Sequence, residues 1–300
     1  MDTLIIEKQC LLCGSFNDSP SINEPHYVFC RTCGLIYTSP RYCNEKLREM
    51  ADYWACKHHL SLEKIEADFS EFTEKLVYFP RMQYISMFRK NNRILDIGCA
   101  TGGWLDYLKK TGWDAFGLEI SEKNAEFGIK EKKLNISVGT LKETSYPTEY
   151  FDVITLWEVI EHIADPIENI QKAYQLLRKG GLLALSTPNY NSLARFILRD
   201  KWSSMDPVSH LRLFMPGTVK YMLTKSGFKN IRIKTMDLNP YEILRLFKKE
   251  NNYDVYYKDI KKIKNKIKKN KFFYYTRTIL NNILGVIPVG DKMVVFAVKT

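Results

Sequence analysis

Four of the seven cysteines in this 300-residue chain are spaced to do chemistry. Cys10-x-x-Cys13-Gly14 and Cys30-x-x-Cys33-Gly34 are two copies of one tight turn, in which glycine permits positive φ and the paired thiolates converge. Cys10, Cys13, Cys30 and Cys33 together supply four sulfurs for tetrahedral Zn2+, in a structural role because four thiolates leave no open position. Redox dithiols or disulfides are the other uses of such pairs. A redox pair needs no spaced duplicate, and a reducing compartment disfavours disulfides. Cys43, Cys56 and Cys99 read as ordinary thiols.

Two further groups of residues suggest a reaction. Glu158-x-x-Glu161-His162 puts two carboxylates and an imidazole on one short loop. They could hold a divalent metal, or His162 could act as a base, or it could simply pack beside the Asp165-Pro166 turn. His210 lies in the polar stretch Trp202-x-x-x-Asp206-Pro207-x-x-His210-Leu-Arg212-Leu-Phe214. Its imidazole, with a pKa near neutrality, can take a hydroxyl proton, or it can make a structural hydrogen bond. The second group is Asp96-x-Gly98-x-Ala100-x-Gly102. It follows the apolar run 94–97 and precedes the helical spacing Trp104-Leu105-x-x-Leu108. A strand, a glycine turn and a helix N-terminus make a nucleotide-binding corner, because the backbone can approach the ligand and free N–H groups face it. Glu119, ending a second strand about twenty residues on, is placed to accept hydrogen bonds from ribose hydroxyls.

These groups need elements to hold them. Strand and helix patterns alternate from 93 to 186: strands at 93–97, 115–118, 136–138, 153–156 and 182–186, helices at 104–110, 122–131 and 167–177. That alternation predicts an α/β fold with a doubly wound, Rossmann-like parallel sheet. A helix at 218–226 and strands at 231–235 and 293–299 complete it, the last two as an antiparallel edge hairpin. Around the cysteines, 27–29 and 35–37 predict a small β ribbon that depends on its metal. The expected organisation is a zinc ribbon at 1–43, a helical connector at 44–78, a cofactor-binding domain at 79–239, a basic amphipathic insertion at 240–290 and a terminal strand at 291–300.

The corner motif resembles the first motif of class I S-adenosylmethionine (SAM) dependent methyltransferases. Phe151-Asp152-Val153-Ile154, the segment Trp157 to Pro166, and the segment Leu176 to Asn189 resemble the fourth strand, its loop and the fifth strand of that superfamily. The resemblance covers roughly 78–239 plus the last strand, and it implies a seven-stranded sheet that binds SAM. Asp96, Gly98, Ala100 and Gly102 would surround the methionine part, with Ala100 standing where a middle glycine is usual. Glu119 would take the ribose, Thr140 and Leu141 the adenine, and Trp157 and Glu158 would face the sulfonium and the substrate. The segment carrying His210 would cover the acceptor, making His210 and His162 the candidate bases, with Asn189 and Tyr190 as further lining. The Glu-x-x-Glu-His loop is similar to that of ubiquinone-pathway O-methyltransferases, some of which use a metal. The knuckle-bearing layout resembles methyltransferases of surface-polysaccharide and sugar pathways, which implies O-methylation of a sugar or hydroxylated metabolite, free or lipid-linked.

Composition bounds the partners. Of the net charge of +11, an excess of eight sits between Glu242 and Arg277, which hold 12 Lys/Arg against 4 Asp/Glu. The lysines flank the stripe Ile260, Ile263 and Ile267 and precede Phe272 to Tyr275, which suits peripheral contact with an anionic membrane through 256–284 or a solvated insertion. Nucleic acid is the weaker partner, because aromatic and basic residues do not interleave. The N-terminus lacks the basic-then-apolar form of a signal peptide and no run is long enough to span a bilayer, so the expectation is cytoplasmic. Two rival readings stand beside the sugar methyltransferase: an RNA methyltransferase gripping phosphates, and a non-catalytic interaction protein on a degenerate fold.

Overall fold

The computed structural model describes residues 4–16, 26–55, 78–236 and 287–300. Most of the expected 240–290 insertion, and with it the proposed membrane-contact segment, lies outside the described residues, as does 56–77 of the connector.

The long apolar runs become the central strands of a seven-stranded mixed sheet. β5 (Arg93–Ile97), β6 (Asp114–Glu119), β7 (Asn135–Val138), β8 (Phe151–Trp157) and β9 (Leu177–Pro188) are parallel, and β12 (Lys292–Val298) and β11 (Lys229–Met236) close one edge antiparallel. The order across the sheet is β11-β12-β9-β8-β5-β6-β7. β5 and β8 are buried on both faces over nearly their whole length, which is why they read as continuous apolar runs rather than alternating ones. Edge strand β11 instead alternates between exposed and partly buried positions.

Helices cover both faces. α3 (Gly103–Lys110) buries Trp104, Leu105 and Leu108, one stripe at helical spacing, and ends on Lys109 and Lys110. α4 (Glu122–Lys132) is capped by the Ser121 side chain on the N–H of Asn124. α5 (Pro166–Leu176) is capped by Asp165 on the N–H of Glu168, with proline at its first position. α2 (Phe79–Ile85) and α7 (Pro216–Lys225) complete the layers, and α6 (Leu193–Leu198) follows β9. One boundary differs from expectation. Helix 167–177, a turn and strand 182–186 were expected, but α5 ends at Leu176 and β9 begins at Leu177. The glycines do not form a separate loop, because Gly180, at φ +71°, bends the strand while its N–H donates to the Lys299 carbonyl of the last strand.

The described residues 4–16 and 26–42 form a small β unit. β1 (Leu4–Ile5) pairs with β4 (Arg41–Tyr42), and β2 (Tyr27–Phe29) pairs with β3 (Ile36–Thr38). The unit does not stand apart, since β3 also pairs with β10 (Arg212–Leu213), two residues beyond His210. Residues 44–55 form helix α1, which reaches back to the large domain: the Ser121 hydroxyl donates to Asp52 at 2.7 Å, and Arg48 pairs with Glu143 at 2.9 Å. Among the described residues no helix is long and apolar enough to cross a membrane.

Two glycines of the corner turn are required by space as well as by φ. A Cβ on Gly98 (φ +69°) would stand 2.4 Å from Val159 Cγ2, and one on Gly102 (φ +78°) 2.3 Å from Leu134 Cδ1. Gly102→Ala is therefore expected to destabilise the protein by about 1–3 kcal/mol, from left-handed backbone and overpacking together. Chemical denaturation checks this, and an unchanged midpoint would show that neither constraint is real.

Candidate active site

Between β5 and β8 the strand order reverses, and the connections after them leave in opposite directions, opening a crevice at their carboxyl ends. Asp96 and Thr155 are register partners on these two strands, and the Thr155 hydroxyl donates to Asp96 Oδ1 at 2.6 Å. Asp96 is only 3% exposed, and burial pushes its carboxyl up to about 7 despite that hydrogen bond and the nearby Arg81. The turn that follows is tied to β6 by Gly98 N–H on the Leu118 carbonyl at 2.7 Å. Ala100 adopts φ +48°, so the position where a glycine is usual does take the left-handed backbone. Its N–H donates to Glu119 Oε2 at 2.8 Å while Ser121 N–H donates to Oε1 at 2.9 Å. Glu119 is thus fixed at the tip of β6 with a lone pair spare on each oxygen, although burial holds its pKa above the usual carboxylate range.

The opposite wall is the end of β8. Trp157 stacks under Arg81, whose guanidinium carbon lies 3.8 Å from the ring centroid. Burial pushes Arg81 down to about 10, opposed by Glu158 and Asp96. Glu158 turns the chain at φ +56°, accepts from the Ser186 hydroxyl at 2.5 Å and pairs with Lys292 at 3.2 Å. The indole N–H groups of Trp104 and Trp157 are both buried without a partner, so this cleft keeps donors that the folded chain itself does not use.

Past Glu158 the loop brings Glu161 and His162 against His210. The two imidazole centroids are 4.9 Å apart, and Glu161, His162 and His210 each offer a ligand atom within 4.8 Å of the others. His162 Nδ1 lies 2.7 Å from the Ser209 carbonyl and His210 Nδ1 2.9 Å from the Ser204 carbonyl. A carbonyl only accepts, so each neutral ring carries its proton on Nδ1 and keeps the Nε2 lone pair as its acceptor. Desolvation with His162 alongside lowers the His210 pKa, and the His162 ring is shifted in the same direction although that residue is exposed. Glu161 is 1% exposed with Oε2 unpartnered, and burial, reinforced by Glu158, pushes it up to about 8.

The remaining expected residues sit differently. The Thr140 N–H and hydroxyl both donate to Glu143 Oε2, capping a short 3-10 turn, and the Leu141 side chain is 1% exposed within the main core. Leu141 thus turns its side chain into the core. Asn189 is fully buried and donates its amide to the carbonyls of Pro288 and Gly290, so it holds the last strand rather than lining a pocket. Sequence reasoning missed Arg81. No spacing ties it to the strand ends, and only the packing of Met82 and Ile85 of α2 into the core behind β5 brings it over Trp157.

The cysteines also converge. Cys10 Sγ is 3.6 Å from Cys33 Sγ, and Cys13 Sγ is 3.5 Å from Cys30 Sγ. The two turns repeat one hydrogen-bond pattern, Gly14 N–H to Cys10 O and Gly34 N–H to Cys30 O, with both glycines at positive φ.

A sheet whose order reverses beside a glycine turn and an acidic residue is common to nucleotide-binding α/β folds, the class I SAM-dependent methyltransferases among them. A family model described as a methyltransferase domain matches residues 67–233, over half of the chain, and the chain belongs to that family. Among solved structures it is similar to a SAM-dependent methyltransferase from Archaeoglobus fulgidus (TM-score 0.51, 23% identical, covering 77% of this chain and 99% of that one). Another is a possible histamine N-methyltransferase from Thermotoga maritima (TM-score 0.51, 18% identical, 80% and 96% covered). At these identities the likeness shows the fold alone. In sequence it is 30% identical over 159 residues to a ubiquinone biosynthesis O-methyltransferase of Cereibacter sphaeroides, and 36% identical over 161 residues to one of Ruegeria sp.. Each match covers 49% of this chain and 64% of the relative, less than two thirds of its length. The rival reading as a non-catalytic fold gives way to an enzyme.

Two outcomes follow from this geometry. Glu119→Ala should weaken SAM binding about 10- to 100-fold by calorimetry, the loss of charge-assisted hydrogen bonds worth about 1.5–3 kcal/mol. Equal affinity would refute the ribose assignment. For Asp96, the folded pKa is raised, so its contribution to stability is full below the unfolded pKa near 4 and is lost as pH rises through about 7. The stability of Asp96→Asn relative to the parent should therefore climb from pH 4 to pH 7 in denaturation curves, and a flat difference would show that the carboxyl is not buried as a neutral acid.

Proposed function

We propose that the chain O-methylates a hydroxylated small molecule, with His210 taking the hydroxyl proton and His162 beside it. The observation that carries this reading is the pair of neighbouring imidazoles whose Nδ1–H groups are both committed to backbone carbonyls, which leaves each Nε2 as an acceptor. Their lowered pKa values keep them neutral at pH 7, the form that accepts a proton.

Asp96, the turn from Gly98 to Gly102, and Glu119 would hold SAM, with Trp157 and Glu158 at its reactive end; the spare indole donors and the free lone pairs of Glu119 fit a polar ligand there. When bound, SAM supplies an electrophilic methyl group on a sulfonium. The chain's own work is to align an acceptor oxygen, exclude water and remove one proton. The names of the ubiquinone-biosynthesis relatives support oxygen as the methylated atom, and the hydroxyl of an aromatic ring is the acceptor class we take from that. The sugar or lipid-linked glycan expected from the knuckle-bearing layout has no counterpart among them, and neither does RNA.

The four cysteines fit a structural zinc ion as part of this proposal. A tetrahedron with Zn–S bonds of about 2.3 Å has edges of about 3.8 Å, close to the 3.5 and 3.6 Å observed. The organisation into a zinc-binding unit, connector, methyltransferase domain and basic insertion belongs to the same reading.

One observation favours a second use of the acceptor cluster. Glu161, with its Oε2 unpartnered, His162 and His210 each offer one ligand atom within 4.8 Å of the others. A divalent cation there would be held by Glu161, His162 and His210 and would make a bound hydroxyl more acidic.

Methyl transfer from labelled SAM to catechols and to hydroxylated sugars tests the reaction. Label is expected on a phenolic oxygen, and His210→Ala should lower kcat by about 10²- to 10⁴-fold with SAM affinity retained. Full activity of His210→Ala would sink the base. Activity that collapses in chelator and returns with Mg2+ or Mn2+ would assign the cluster to a cation instead. Metal analysis should find one zinc per chain, lost in Cys30→Ser with a lower melting temperature; a metal-free protein with four titratable thiols would exclude the zinc reading.

A further inference from the structure

We infer that the N-terminal cysteine-bearing unit positions the two imidazoles, with Tyr27 and Arg212 as the positioning residues that carry its effect to the acceptor side of the site. The inference rests on reading His210 and His162 as acceptor-site groups, and it concerns residues that neither touch the cofactor corner nor reach the reacting atoms.

Three links run from the unit to the histidine-bearing loops. The first is backbone pairing. β10 begins two residues after His210 and lies antiparallel on β3, with Arg212 opposite Tyr37 and Leu213 opposite Ile36, and Thr38 N–H donates to the Leu211 carbonyl at 3.0 Å. The two-residue strand after His210 is therefore paired by the cysteine-bearing unit, and Phe214 just beyond it bridges to Asn189 at the end of β9. A two-residue strand has no independent stability, so its register is set by the partner it lies on.

The second link is Tyr27. Its hydroxyl donates to the backbone carbonyl of His210 at 2.8 Å, from a position 183 residues away in sequence. Burial, with Asp206 adjacent, raises the phenol pKa, so the hydroxyl keeps its proton and remains a donor. This contact holds the backbone of the histidine itself, while Ser204 holds its ring.

The third link is Arg212. It is fully buried, and its Nη2 donates both to Glu7 Oε1 of the N-terminal unit at 2.6 Å and to the carbonyl of Ala164, two residues past His162. Glu7 is in turn fixed by Arg41 at 2.7 Å. One guanidinium thus spans the N-terminal unit, the His210 strand and the His162 loop. A planar fork with several fixed donors can do this where a lysine cannot. The two imidazoles stand 4.9 Å apart because two loops from different parts of the fold are pinned to the same small unit.

At the cofactor corner the link to the N-terminal half is the Ser121–Asp52 hydrogen bond of α1, outside the cysteine-bearing unit. Asp96, the glycine turn and Glu119 are held by β5, β6 and β8. Loosening the N-terminal unit should therefore act on the acceptor half alone.

The test compares Tyr27→Phe, Arg212→Met and Arg212→Lys with the parent in the full-length protein. Calorimetry with SAM should give affinities within about twofold of the parent for each folded variant. Methyl transfer should lose about tenfold or more in kcat for Tyr27→Phe and further for Arg212→Met, because small displacements of a proton-accepting group are costly. Arg212→Lys should recover only part of this. The ring 15N resonances of His162 and His210, assigned with the two His→Gln variants, should shift and titrate at a different pH in Tyr27→Phe. If Tyr27→Phe and Arg212→Lys keep the parent kcat, pH profile and imidazole resonances, the inference is overturned. If Arg212→Met does not fold, Tyr27→Phe decides alone, since it deletes one oxygen. If the resonances move while His210→Ala retains full methyl transfer, the positioning stands and the assignment of His210 as base fails.

Discussion

Two neighbouring parallel strands, β5 and β8, carry connections that leave their carboxyl ends in opposite directions, so no loop can close over both at once. Among the described residues, Asp96, Trp157 and Glu158 lie at or beside the ends of these strands, while the four cysteines form a separate cluster in the N-terminal unit. Asp96 and Thr155 lock the two strands together just below the opening. Gly98 and Glu158 turn the chain away on either side with positive φ. The glycine turn can face a ligand only because Val159 and Leu134 fill the space where side chains on Gly98 and Gly102 would be.

This arrangement concentrates charge where water is scarce. Asp96, Glu119 and Glu161 are all nearly buried at the crevice, and burial raises the pKa of each. The principal counter-charge is Arg81, itself depressed by burial. Carboxyls that would rather be neutral, and indole donors without partners, are poor choices for stability alone. Such conflicts between local preference and fold collect at functional sites. By contrast Asp152 at the far end of β8 is fully satisfied. It accepts three backbone N–H groups, from Lys90, Asn91 and Asn92, and pairs with Arg178.

What the sequence could reveal followed the range of each signal. The strands of the sheet, the corner turn and the duplicated knuckles are local patterns, and the structure places them within a residue or two of expectation. Leu176-Leu177 was harder, because an apolar pair before two glycines fits a helix end as well as a strand start. The pairing of β10 with β3 left no trace, since a two-residue strand shows no periodicity. Arg212 and Arg81 look in sequence like solvated charges, and only long-range packing makes one a buried bridge and the other a lid on Trp157. Nor does proximity to a strand end say which way a side chain turns, and that of Leu141 packs into the core.

The account's central claim is that one crevice holds the cofactor corner on one side and the paired imidazoles on the other. A crystal structure with S-adenosylhomocysteine and a catechol bound tests it directly. The account predicts the ribose on Glu119, the amino-acid part along the turn from Gly98 to Gly102, and the catechol oxygen between the sulfur and His210 Nε2. A cofactor seated there with its sulfur turned away from His162 and His210, or an acceptor bound on another face, would contradict it.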